Sequence, residues 1–194
     1  SAVLRGCIFT LACVLLVVPC YPPVSLALDY HARKLAFPVI IDLQAAWAKP
    51  FLETQDSLLD NHPDAETCGP VMDHAATGVH LLPARSPGFY IKEPYPDWRS
   101  YRYLSFTIFS NRPAPFQLSI RIHDRRHSHA YADRFNRNLT VSYGENRYRI
   151  SLAEVRDSPA GRKLDMANIA RIMLFAKDIT DPLEFCAGTM QLEK

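Results

Sequence analysis

Glycine is scarce in this chain, at seven residues in 194, while proline reaches fifteen. That balance disfavours long helices and predicts many turns and chain stops. A Gly-x-Ser-x-Gly elbow, a phosphate-cradling glycine loop and a His-Glu-x-x-His pair are all absent, which removes three common frameworks for catalysis. There is no Cys-x-x-Cys and no Cys/His spacing suited to zinc, which argues against a metal-stapled domain. The net charge is only +2 and the basic residues form no run, so no nucleic-acid partner is expected. Internal repeats and low-complexity tracts are missing as well.

What is present is ordinary for a folded chain: 48% hydrophobic and 22% charged residues, enough for one sandwich-sized domain with length to spare at the N-terminus. One long apolar run exists. Residues 6–28 carry no charge, with Arg5 before them and Asp29, Arg33 and Lys34 after. Its strongly apolar part, residues 7–18, is short, but with the weaker tail the run reaches the roughly 20 residues that span a bilayer. It also suits a signal-peptide core. The chain opens on Ser rather than Met, as a fragment or processed product does. The expected organisation is therefore a membrane helix or signal-like segment over 1–28, a polar connector over 29–36, and a β-sandwich over 37–194 held outside the cytoplasm. Cys7, Cys13 and Cys20 fall in the apolar run, where they act as small hydrophobes. Cys68 and Cys186 belong to the folded part and are either a pair or two buried thiols.

The most informative stretch is 116–152. Phe116, Leu118, Ile120 and Ile122 alternate with Gln117, Ser119, Arg121 and His123, the period of a strand with one buried and one wet face. Residues 134–141 and 147–152 repeat the arrangement, with a hairpin turn expected over 142–146. Further strands are expected at 37–43, 78–82, 88–92, 103–110, 172–177 and 183–192, the last interrupted at Gly188. Residues 47–68 read as loop with room for a helical turn, 153–163 as loop, and 164–171 as a helical turn capped by Asp165. The tally is eight or nine short strands and no long soluble helix, hence an all-β antiparallel sandwich or jelly roll.

Three neighbouring strands would pool Arg121, His123, Arg134, Asn136, Asn138 and Arg149 on one surface. Planar polar groups satisfy sugar hydroxyls, aromatic rings stack on sugar C–H faces, and guanidinium forks suit uronate, pyruvyl or phosphoryl groups. The ring candidates are Tyr95, Trp98, Tyr101 and Tyr131. The expected ligand set is Arg121, His123, Arg134, Asn136 and Arg149, with Tyr131 and Trp98. The competing reading pairs these arginines with Asp124, Asp133, Glu145 or Glu154 as a solvated face. His123, Asp124, His127, His129 and Asp133 are dense, but no metal or cofactor is expected from that spacing. Glu154 and Asp157 raise a two-carboxylate glycosidase, and are expected instead to pair with Arg156 or Arg162.

Residues 97–111 (DWRSYRYLSFTIFSN), 121–137 (RIHDRRHSHAYADRFNR) and 148–176 (YRISLAEVRDSPAGRKLDMANIARIMLFA), in that order, resemble the galactose-binding-like jelly rolls that include many carbohydrate-binding modules. More narrowly, the chain resembles the extracytoplasmic C-terminal domain of some bacterial VanZ-like membrane proteins. There a last membrane helix passes through a charged connector into an FP-containing strand, as residues 33–42 (RKLAFPVIID) do here. The family's usual Asp-Phe-Glu strand and closing Asp-Asn turn read Asp42-Leu43-Gln44 and Cys186-Ala187-Gly188, so two carboxylates tied to structural calcium in related modules are absent. The resemblance implies a non-catalytic, membrane-tethered module that binds an acidic surface polysaccharide or envelope glycan. The alternatives are a structural or protein-interaction domain without a glycan ligand, and a polysaccharide hydrolase or lyase. A sugar site calls for at least two exposed rings beside the arginines, and a scaffold for a flat or apolar patch.

Overall fold

The alternating segments close into two antiparallel sheets packed face to face. The computed structural model describes residues 23–60, 68 and 76–194. One sheet has five strands in the order β2 (Leu52–Gln55), β5 (Gly88–Lys92), β10 (Ile169–Phe175), β7 (Phe116–Asp124) and β8 (Phe135–Val141). The other has seven: β1 (Val39–Ile41), β12 (Met190–Glu193), β6 (Tyr103–Ser110), β11 (Leu183–Ala187), β4 (Thr77–Leu81) and β3 (Ser57–Asp60), with β9 (Gly144–Ser151) along the other side of β6. Successive strands β11 and β12 both run beside β6, two halves of one line broken at Gly188 and Thr189.

The inward residues of both sheets meet in one core. Leu118, Ile120 and Ile122 of β7 join Ile172 and Leu174 of β10, and Leu104 and Ile108 of β6, all at 2% exposure or less. Burial on that scale contributes ~1.5–3 kcal/mol per side chain. Trp98, expected at the ligand surface, is also in this core with no exposed area. Its ring nitrogen donates to the Tyr95 carbonyl at 2.7 Å and its backbone N–H to the Met166 carbonyl at 2.8 Å, so the indole is satisfied inside. A buried tryptophan needs one such partner, and the Pro-rich connection supplies it.

Three expectations are corrected. The turn at 142–146 is no hairpin: β8 stays in the five-stranded sheet while β9 crosses to β6. Asn146 braces that corner, accepting from the Ser142 N–H at 2.9 Å and donating to the Ser142 and Gly144 carbonyls at 2.8 and 3.0 Å, while Gly144 takes φ +85°. The polar stretch after Trp47 contains two strands, β2 and β3. Asp56, at φ 47°, swings the chain from one sheet to the other between them. Residues 29–36 are the end of a helix, α1 (23–36), rather than a connector. Tyr30 of α1 meets the Phe51 ring edge-on at 5.0 Å, and the Arg33 guanidinium lies 4.5 Å from the same ring. Among the described residues no helix is long and apolar enough to cross a membrane. The apolar part at 7–18 lies outside them.

Two cross-links tie distant parts of the chain. Cys68 and Cys186 form a disulfide, 118 residues apart in sequence, resolving the two alternatives left open above. At the end of β7 the fully buried Asp124 carboxylate accepts from Arg162 Nη1 and Nη2 at 2.6 and 3.0 Å, and from the Arg126 and Asp165 backbone N–H groups at 3.1 and 2.7 Å. Arg162 Nε also donates to Asp133, which accepts the Ser128 N–H at 2.6 Å. Burial raises the Asp124 pKa, but the bonds from Arg162 and the two N–H groups outweigh it and the carboxyl titrates below its usual range. The Arg162 fork holds Asp133 well below that range too.

Two outcomes follow for stability. Replacing Arg162 by Met leaves Asp124 buried and unpaired, and should cost ~3–5 kcal/mol in urea unfolding. In the wild type, depressed carboxyls contribute stability that is complete above their unfolded pKa of about 3.9 and is lost as pH falls through the folded values. An acid limb below roughly pH 4, diminished in Arg162→Met, is therefore expected, and identical limbs would contradict the clamp. Replacing Cys186 by Ser should cost ~2–5 kcal/mol in the same measurement, whereas an unchanged midpoint under oxidising conditions would contradict the cross-link.

Candidate functional site

Because side chains on paired residues share a face, the strand registers write out the outer surface of the five-stranded sheet row by row. One row runs Glu53, Tyr90, Met173, Arg121 and Asn136 across β2, β5, β10, β7 and β8. The next runs Gln55, Gly88, Phe175, Ser119 and Asn138. On the other side of the first row lie Lys92, Arg171 and His123. Gly88 is fixed by this packing, since a Cβ there would stand 2.2 Å from the Leu174 carbonyl oxygen and 2.6 Å from Phe175 Cα.

Tyr90, Met173 and Phe175 form a small apolar cluster on this surface, separate from the main core. The Arg121 guanidinium lies across it, 5.0 Å from the Phe175 ring centre, with Nη1 3.4 Å from Met173 Sδ and Nε 3.4 Å from Asn136 Oδ1. Arg171 stands 5.7 Å from the Tyr90 ring centre. Tyr90 in turn donates to Gln55. Arg121 is thus held by aromatic, thioether and amide contacts, while Arg171 lies beside the Tyr90 ring with its side chain 38% exposed.

Arg134 enters β8 from the adjoining loop and sits 5.3 Å over the exposed Tyr131 ring. Its Nε is buried and has no hydrogen-bond partner among the described residues. Burial pushes the pKa of both Arg134 and Arg121 down, and the like charge of Arg134 lowers Arg121 further. Two half-buried cations that repel one another and have no carboxylate partner among the described residues favour an incoming anion. Burial likewise lowers the pKa of His123, whose ring stacks 4.5 Å from that of His127.

The acids that would have neutralised this face are engaged elsewhere. Asp124 and Asp133 bind Arg162, Glu145 binds Arg147 at 2.9 Å, and Glu154 binds Arg137 at 3.1 Å. Glu53, on the face itself, lies 3.8 Å from both Arg171 and Lys92. The histidine-rich loop forms no ligand cage: among the described residues no three His, Cys, Asp or Glu side chains converge as for a metal ion. Asp157, the second carboxylate of the glycosidase reading, is held by Arg156 at 2.8 Å.

Of the expected ligand set, Arg121, His123, Arg134 and Asn136 share this surface, with Tyr131 at its rim. Arg149 does not. It belongs to β9, carried to the other sheet by the 142–146 corner, where it binds Glu193 at 2.8 Å and lies 3.5 Å over the Tyr103 ring. Trp98 does not either, being core. Tyr95 and Tyr101 are drawn into packing against Phe37, at 4.2 and 5.3 Å between ring centres. Among the described residues the face therefore has one exposed ring, Tyr131 at 66%, and two sunken ones, Tyr90 at 9% and Phe175 at 3%. Tyr90, Met173, Phe175 and Arg171 were hidden from sequence reasoning because β5 and β10 read as nearly continuous apolar runs. The signal was Arg171, a lone charge inside such a run.

No family model and no curated protein sequence matches the chain. Solved structures do. The family 11 carbohydrate-binding module from Clostridium thermocellum, in complex with a β-1,3-1,4-mixed-linked tetrasaccharide, aligns with a TM-score of 0.58 at 12% identity over 80% of this chain and 94% of that one. An exo-β-agarase aligns with a TM-score of 0.62 at 13% identity over 80% of this chain and 24% of its own. A second agarase gives 0.60 at 11% identity over 80% and 26%. Likeness at these identities is likeness of fold: the chain is an all-β antiparallel sandwich of the kind found in carbohydrate-binding modules.

Proposed function

We propose that this domain binds carbohydrate without catalysis, through the outer face of its five-stranded sheet, and that the ligand is an acidic polysaccharide or envelope glycan. The observation that carries the reading is the pair Arg121 and Arg134: half-buried, mutually repelling, and without a carboxylate partner among the described residues. A uronate or similar substituent would relieve that repulsion, while Asn136, Asn138 and Gln55 offer donors and acceptors for hydroxyls. With a single exposed ring, Tyr131, the face falls short of the two that a stacking sugar site calls for, so the binding proposed here rests on hydrogen bonds and charge instead. The fold supports the reading by analogy, since the similar module is in complex with a tetrasaccharide.

The domain is proposed to work outside the cytoplasm, tethered by the apolar segment at the N-terminus, as the resemblance to VanZ-like proteins implies. The Cys68–Cys186 disulfide suits an oxidising compartment. Glu154 and Asp157, tied to Arg137 and Arg156, are poorly placed to serve as free acid and base.

The test is a glycan array followed by titration with the tightest ligand. Arg121→Ala should weaken an acidic glycan by about tenfold to a hundredfold, the scale of a charge-assisted hydrogen bond, with the fold intact by circular dichroism. Failure of every acidic glycan to bind, or affinity indifferent to Arg121→Ala, would remove the proposed site and favour a scaffold role.

A further inference from the structure

A second recess lies away from the sheet face. It has a volume of about 610 Å3 and is bounded by the connection entering β6, the start of α2 (Leu152–Asp157) and the loop over residues 163–166. That volume is within the range of small-molecule sites, roughly 300–1,000 Å3. Its apolar lining comes from Leu152, Leu164 and Met166, with Tyr101 and Tyr103 beside them. Its polar lining is dominated by cations: Arg99, Arg102, Arg156 and Lys163, against Asp165 alone.

All but one of these charges have a partner among the described residues. Arg99 is paired with Asp97 at 2.6 Å, and its bonds hold that carboxyl down at about 2. Arg156 binds Asp157 at 2.8 Å, and Lys163 approaches the same carboxylate at 3.8 Å. Asp165 is spent on the Ala167 N–H at 3.1 Å and the Asn168 side-chain amide at 2.8 Å. Counting Asp97, Asp157 and Asp165 against the four cations leaves one positive charge in excess. Among the described residues the Arg102 guanidinium has no hydrogen bond and no ion pair. The backbone of Arg102 is nevertheless fixed, its N–H donating to the Glu193 carbonyl and its carbonyl accepting from the Leu152 N–H, both at 2.8 Å. An unspent guanidinium on a pinned backbone, over an apolar floor flanked by two phenol rings, is a site for an anion carried on a ring.

We infer that this recess binds a monoanionic, ring-sized ligand, a carboxylate or sulfate ester on a sugar or aromatic ring, with Arg102 as the principal anion contact and Lys163 as the second. The site is separate from the sheet face. Arg121 and Arg134 line none of it, and the Asp124–Arg162–Asp133 clamp belongs to neither lining. The domain would then hold two anion-selective sites, one for an extended chain and one for a single ring.

Amide chemical-shift titration of the folded chain with glucuronate, benzoate and neutral glucose tests this. Glucuronate or benzoate should shift the amides of residues 99–103, 151–153 and 163–166, and which of the two does so tells a sugar from an aromatic source. Arg102→Ala should weaken that response by about tenfold or more, Arg102→Lys should restore part of it, and Arg121→Ala should leave it unchanged. The inference is overturned if neither anion shifts those amides, if glucose binds as well as glucuronate, or if Arg121→Ala rather than Arg102→Ala abolishes the response. A dispersed spectrum of Arg102→Ala shows that loss of binding is not loss of fold.

Discussion

Arg162 decides the electrostatics around the end of β7, from a loop whose sequence does not say which acids it will bind. Its fork takes two carboxylates, Asp124 at the end of β7 and Asp133 in the loop before β8. These are two of the acids nearest in sequence to Arg121 and Arg134. Buried carboxylates seek the best available partner, and a bidentate guanidinium with converging backbone N–H groups outbids a more exposed one. The consequence is that the loop between β7 and β8 is locked down while the arginines on the adjoining sheet surface keep their charge unspent.

That surface owes its shape to a second constraint, the strand order of the five-stranded sheet. Placing β10 between β5 and β7 sets Met173 and Phe175 beside Arg121, and Tyr90 one strand further on. The apolar cluster gives the guanidinium a surface to rest against, 5.0 Å from the Phe175 ring centre and 3.4 Å from Met173 Sδ. Arginine ordered in this way loses less freedom on meeting a ligand than one on a free stem. The opposite sheet shows the contrast: Arg147 and Arg149 are equally exposed to sequence reasoning, yet each is neutralised by a glutamate.

Much of the architecture was legible because a half-buried strand writes period two into its sequence. Strands β5 and β6 fall where the alternation and turn signals put them, and β7 and β8 within a residue. What failed did so for physical reasons. The 142–146 stretch has the composition of a hairpin turn, but composition does not say which sheet receives the next strand, and Asn146 builds a corner instead. That one misassignment carried Arg149 to the wrong face. Trp98 sits in a polar, Pro-rich segment that looks exposed, yet a carbonyl three residues back satisfies its ring nitrogen and lets the whole indole be buried. The strands β2 and β3 escaped notice because edge strands tolerate polar residues on both faces. The pairing of Cys68 with Cys186 was undecidable from spacing, since neither residue has a neighbour in sequence that fixes its partner.

The account stands on selection for negative charge by Arg121 and Arg134. Its most direct measurement is the affinity of the domain for polygalacturonate beside that for the same polymer with its carboxyl groups reduced to alcohols, at low and at moderate salt. The account predicts binding to the acidic polymer that weakens as salt is raised, and much weaker, salt-insensitive binding to the reduced one. Equal affinity for both polymers, unaffected by salt, would contradict it.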